Sequence, residues 1–234
     1  ESVMSKVWNK KIFEHIQKEV DQSSKDLAEA RGPCPDAADY GIKERFSNKT
    51  AIAPTASISI ICGGTSPGIE PIAANSYTHK TLSGSFNVRN KYLQKILEKY
   101  NKNNEEIWSS ITTNEGSVSH LDFLTNEERD VFKTAFEINQ KWIVELGADR
   151  TPHISQAQSV NIFVPADIHK KELHQIHFQA WKKGLKSLYY CRSKSIQRAE
   201  NINSGSSTDV TKNVYNSDNS NSNQADYEEC LSCQ

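Results

Sequence analysis

Two cysteines close to the end of the sequence, Cys230 and Cys233, are separated by Leu and Ser. In a Cys-x-x-Cys pair one thiolate attacks a disulfide and the second resolves the mixed intermediate. Between this pair and the body of the chain, residues 201–226 hold 7 Asn and 6 Ser, densest at Asn219-Ser-Asn-Ser-Asn223. Such a composition buries too little apolar surface to offset its ordering entropy, which predicts a disordered linker. A flexible chain of that length has a root-mean-square reach of about 28 Å. A dithiol on such an arm suits the carriage of reducing equivalents between a buried site and an external reductant. A two-ligand metal half-site and an inert tail are the other uses of the pair; no second Cys pair completes a zinc site.

Two further segments could do chemistry. Pro54, Thr55, Ala56, Ser57 and Ile58 open a run of small hydroxyl residues, whose backbone N–H groups and hydroxyls can cradle an oxyanion. Ser/Thr-rich turns are also common without a ligand. Tyr189 and Tyr190 are adjacent after Leu188. Two aromatics on a strand ordinarily serve packing, one ring on each face. Stacked phenols can instead lose an electron and a proton together and relay a radical. His169, His174 and His177 invite a metal reading, but only His174 and His177 share a helix face and no acidic residue joins them there. A packed or solvated face accounts for them, and no metal site is assigned.

The elements that must position these residues follow from periodicity. Trp8, Ile12, Ile16 and Val20, with Phe13 and Leu27 nearby, predict an amphipathic helix over 5–30. Arg31-Gly-Pro-Cys-Pro-Asp36 stops it. Residues 50–61 are rich in β-branched side chains and predict a strand and loop. Helices are expected over 90–100 and 125–147. Ser159-Val-Asn-Ile-Phe-Val164 alternates like a strand, Pro165 opens a helix running to Gly184, and 186–192 predicts a short buried strand. Helices alternating with strands make the body α/β.

Composition bounds the partners. The net charge of −1 and isoelectric point near 6.7 leave no electrostatic footprint for nucleic acid or an anionic membrane. Hydrophobic content is 36% and mean hydropathy −0.67, yet the body retains enough Ile, Leu, Val, Phe and Trp for a core. Apolar runs such as 58–62 are too short to span a bilayer. Five cysteines at irregular spacing argue against a secreted disulfide framework, and a cytoplasmic location is expected. Cys34 and Cys62 are expected to pack. The sequence opens Glu1-Ser-Val-Met-Ser5 directly into a helical pattern, so the chain is expected to continue something longer.

Several segments together carry a family likeness. The stretch from Ile52 to Pro71, His79 to Phe86, Ala148-Asp-Arg-Thr-Pro152, Ser155 to Asn161, Trp181 to Tyr190, and Glu228-Glu-Cys-Leu-Ser-Cys233 strongly resemble the large (α) subunit of class I ribonucleotide reductase. The resemblance covers nearly the whole chain, the Asn/Ser linker aside. It implies the C-terminal part of that family's ten-stranded α/β barrel over 1–200, a flexible linker over 201–226 and a redox tail over 227–234. It also implies that Pro54, Thr55, Ala56, Ser57 and Ile58 hold a ribonucleoside diphosphate. Tyr189 and Tyr190 would end a radical relay from a small (β) subunit carrying a metal-based radical cofactor, with no cofactor in this chain. Cys230 and Cys233 would re-reduce the active-site disulfide and be reduced by thioredoxin or glutaredoxin.

The departures from the family matter equally. The family's radical cysteine, its two ribose-reducing cysteines and its regulatory nucleotide regions lie N-terminal to the part matched here. Cys34, Cys62 and Cys191 lie in the wrong motifs to replace them. Activity is therefore expected only on assembly with the N-terminal part of α and the small subunit. The alternative is a non-catalytic, redox-responsive interaction subunit on the same fold.

Overall fold

The computed structural model describes residues 1–81 and 84–193. The expected linker (201–226) and the expected redox tail (227–234), with Cys230 and Cys233, lie outside the described residues.

Helix α1 (Val3–Arg31) begins at Ser2, whose Oγ accepts the Ser5 N–H at 3.1 Å in a capping box. It ends at Gly32, where φ of 81° and the following Pro33 stop it. The predicted helix is present, but its apolar stripe faces outward, with Trp8 59% exposed. The inner face is instead polar at its contacts: Lys6 pairs with Glu145 at 3.0 Å and Asn9 donates to the Leu146 carbonyl at 3.0 Å. Short helix α2 (Pro35–Asp39) follows.

The segment expected to be strand and loop over 50–61 is corrected by the structure. Ile52 forms one parallel bridge with Gln158, and Ala56–Ile61 then coils into helix α3. Pro54 removes a ladder donor, and the Ser59 hydroxyl donates to the Ala56 carbonyl at 2.7 Å, closing the turn. A 3-10 turn at Pro67–Ile69 leads to an antiparallel hairpin of β1 (Ser76–Thr81) and β2 (Gly84–Arg89), which periodicity did not predict.

Helices α4 (Lys91–Lys99), α5 (Glu105–Thr113) and α6 (Asn126–Val131) enclose one core of Leu93, Leu97, Trp108, Ile111, Val118, Leu121, Leu124 and Phe132. Each is capped by a side chain: Asn90, Asn104 and Thr125. The single helix expected over 125–147 is two, with α7 spanning Gln140–Arg150. Asn139 caps α7, and the buried Gln140 amide donates to the carbonyls of Ala135 and Ile138, which satisfies the break.

The second core is Val144, Ile162, Val164, Ile176 and Ala180. Buried strand β3 (Ile162–Val164) lies against α7 and α8 (Lys170–Lys182) and pairs in parallel with β4 (Cys191–Ser193). Helix α8 starts at Lys170 rather than at Pro165, because His169 Nδ1 caps it by accepting the Lys171 N–H. The strand expected to be buried over 186–192 is corrected too: β4 is exposed, as an edge paired among the described residues with β3 alone. Cys62 is exposed and Cys34 only partly buried, so packing does not explain Cys62. His174 and His177 lie on exposed α8 surface, His174 stacked on Phe178.

No helix among the described residues is long and apolar enough to cross a membrane. None of their His, Cys, Asp and Glu side chains gather in a group of three or more that could hold a metal ion.

Candidate functional site

Three parallel backbone segments lie side by side. Residue 52 bridges Gln158, Ser159 donates back to the Ile52 carbonyl at 2.9 Å, and 162–164 pairs with 191–193. The Pro54–Ile58 segment therefore leaves one flank of residues 158–164, while Tyr189 and Tyr190 enter the other.

Thr55 sits in the left-handed region at φ 54° and immediately precedes α3. Its hydroxyl does not cap the helix; Oγ1 accepts the Gly68 N–H at 2.9 Å. The first N–H groups of a helix have no intrahelical partner, so those of Ala56, Ser57 and Ile58 are left to an external acceptor. Ser57 and Ile58 are exposed. Gly68 fits this approach because it has no Cβ: one would lie 3.0 Å from Ser159 Oγ and 3.4 Å from the carbonyls of Ala53 and Pro54. Ser159 is buried and its Oγ has no hydrogen-bond partner among the described residues. A turn of open amides beside hydroxyls can bind a phosphate-like anion.

Tyr189 and Tyr190 do not alternate across a strand. They precede β4, and their rings stack with centroids 4.1 Å apart at 48°. The Tyr189 hydroxyl donates to the Tyr190 hydroxyl at 3.3 Å, and the residues are 43% and 40% exposed. The backbone of the pair is pinned: Tyr189 N–H donates to the Val160 carbonyl at 2.8 Å, and Ile162 N–H to the Tyr190 carbonyl at 2.9 Å. The Arg192 guanidinium lies 5.5 Å from the Tyr190 ring centroid, close enough for a cation–π contact.

Periodicity missed two residues beside this pair. Asn161 Oδ1 accepts the Tyr190 N–H at 2.9 Å, and its amide nitrogen donates to the Glu70 carboxylate. Burial pushes the Glu70 carboxyl above its ordinary value, against the opposing pull of Arg192 and of the Asn161 hydrogen bond. The available signal was a polar Asn inside the apolar run 160–164, where a buried strand residue needs a partner.

The structure thus places the Pro54–Ile58 turn and the tyrosine pair on one framework. Cys230 and Cys233 fall outside the described residues.

Comparison with known proteins agrees with this framework. The family model for the ribonucleotide reductase barrel domain matches residues 36–191. The ribonucleoside-diphosphate reductase large subunit of Invertebrate iridescent virus 6 is 49% identical over 82% of this chain and 20% of its own length. That of Invertebrate iridescent virus 3 is 44% identical over 89% of this chain and 33% of its own length. The solved class Id ribonucleotide reductase α subunit of Actinobacillus ureae superposes with a TM-score of 0.76 at 37% identity, covering 83% of this chain and 35% of that one. The chain spans about a fifth to a third of the length of these relatives. The expected α/β fold, the C-terminal part of the reductase's ten-stranded barrel, agrees with both the domain match and the solved α subunit. With its described framework matched from the α2 segment through the start of β4, the chain belongs to the ribonucleotide reductase family, as part of the large-subunit barrel domain.

Proposed function

We propose that the chain is the C-terminal part of a class I ribonucleoside-diphosphate reductase α subunit. It contributes to reduction of a ribonucleoside diphosphate at the 2′ carbon. The turn of Pro54, Thr55, Ala56, Ser57 and Ile58 holds the diphosphate through the amides of Ala56, Ser57 and Ile58 and the Ser57 hydroxyl. Tyr189 and Tyr190 pass the radical. Cys230 and Cys233 return two electrons to the active-site disulfide, becoming a disulfide themselves until thioredoxin or glutaredoxin reduces them.

The observation that carries this reading is the hydroxyl–hydroxyl contact of 3.3 Å between Tyr189 and Tyr190 on an exposed edge. Packing alone buries rings and leaves the phenols free to point apart. Here a hydrogen atom can move from one phenol to the other: one O–H bond breaks, one forms, and the radical changes ring. In this reading the starting radical comes from the small subunit's metal-based cofactor, and the N-terminal part of α supplies the radical cysteine and the reducing cysteines.

The test is reconstitution with the N-terminal part of α, the small subunit and a thioredoxin or glutaredoxin system, followed by assay of deoxynucleotide formation. Turnover that requires every component supports the reading. Assembly without turnover would make the chain a non-catalytic, redox-responsive interaction subunit.

A further inference from the structure

The backbone of Tyr190 makes one of its hydrogen bonds with a side chain. Its carbonyl, and the N–H of Tyr189, meet backbone partners that any residue at 160 and any non-proline residue at 162 would supply. The Tyr190 N–H instead meets the side chain of Asn161, at 2.9 Å. Asn161 is 4% exposed, and its amide nitrogen is spent on the Glu70 carboxylate. An amide used at both ends is held in one orientation.

Glu70 is itself aimed by strained backbone. Gly68 and Ile69 both lie in the left-handed region, at φ 56° and 63°. For a β-branched residue that conformation is unfavourable and persists only when its surroundings enforce it. Here the Glu70 N–H returns to the Pro67 carbonyl at 2.9 Å, and the Gly68 N–H is held by Thr55. The turn therefore delivers a carboxylate to Asn161 from a fixed base.

We propose that Asn161, anchored by Glu70, is a positioning residue that holds Tyr190 in register with Tyr189. The proposal rests on the reading that this pair carries the radical. The hydroxyl contact of 3.3 Å is longer than the usual O–H···O range of about 2.5–3.0 Å. A small rotation of the Tyr190 backbone separates the oxygens beyond hydrogen-bond reach.

The test is a swap of donor and acceptor in the assembled reductase, with 3-fluorotyrosine replacing Tyr190 as a fluorine NMR probe. Asn161→Asp sets two carboxylates against each other and breaks the brace. Glu70→Gln keeps it, since the introduced amide can present its oxygen to Asn161. The double substitution restores it, with the introduced amide donating to the introduced carboxylate and Tyr190 N–H still accepted. The expected result is a kcat loss of about 10- to 100-fold in Asn161→Asp, the scale of a small misplacement of reacting groups. KM for the diphosphate is unchanged, the fluorine resonance is shifted, and the double variant recovers both readouts. A double variant no better than Asn161→Asp would overturn the proposal, as would Asn161→Asp with wild-type kcat and resonance. Should Asn161→Asp fail to fold, Glu70→Ala at the partly exposed anchor gives the same decision: a shifted resonance supports the brace and an unchanged one overturns it. Tyr190→Phe keeping full turnover would sink the radical reading instead, while the fluorine shift still decides whether Asn161 positions the ring.

Discussion

Thr55 and Gly68 both lie in the left-handed region, and the Gly68 N–H donates to Thr55 Oγ1 at 2.9 Å. Thirteen residues of chain thus return to the start of α3 and take away its natural cap. Gly68→Ala tests that arrangement. A methyl group there meets Ser159 Oγ at 3.0 Å and a positive φ, so the turn must shift. The expected cost is about 1–3 kcal/mol, combining backbone strain with overpacking. Thermal unfolding of the chain measures it. Weaker diphosphate binding in the reconstituted enzyme should accompany it, and unchanged stability would show that the turn has room to relax.

Tyr189→Phe and Tyr190→Phe each keep the ring and remove the O–H that must break. Turnover of the assembled enzyme is expected to vanish in both, with assembly intact. Stability should fall by about 0.5–1.5 kcal/mol, toward the lower end because the lost hydrogen bond is long and exposed. Near-normal turnover in either variant, measured as deoxynucleotide formed, would return the pair to a packing role.

A pH dependence follows from the contact between α1, α7 and α8. Lys183 at 2.7 Å and Lys6 at 3.0 Å hold the Glu145 carboxyl at about 2, below its ordinary 4.5. A lowered folded-state pKa stabilises the fold above the unfolded value, and that stability disappears as pH falls from about 4.5 toward 2. The full shift corresponds to about 3 kcal/mol, and solvent screening at this partly open site brings it to about 1–2. Wild type should therefore lose more stability between pH 6 and pH 3 than Glu145→Gln does. Parallel losses in the two proteins would remove Glu145 from the account.

Particular residues show why only part of this was legible in the sequence. Two helices were: α1 and α4 fall within two residues of where periodicity puts them. The 125–147 pattern merged two helices because Phe132 and Ala135 keep helical spacing, while Gln140 supports the break from 23 residues before its contact with the Phe163 N–H. Nothing local announces such a contact. Three of the four residues in the Ile58–Ile61 run are β-branched, yet it is helical: the Gly63 and Gly64 N–H groups donate to the carbonyls of Ile60 and Ser59, and Lys91 holds the Gly63 carbonyl. At the site, the hydroxyl-rich turn and the adjacent tyrosines were visible as residue types. Their joining through Glu70 and Asn161 spans 91 residues and needed the fold.

The tail cysteines are tested by separating one turnover from many. If Cys230 and Cys233 only re-reduce the active site, their Ser variants should complete a first turnover with the dithiol already present there. They should then stall when thioredoxin or glutaredoxin is the reductant. A small dithiol that diffuses into the site bypasses the arm and should restore repeated turnover. Shortening 201–226 should give a graded form of the same defect, since reach of a flexible chain grows about as the square root of its length. Rapid-quench measurement of product per α subunit separates the cases. Loss of the first turnover would place the two cysteines in the chemistry itself, and full activity with the protein reductant would leave them without a role in it.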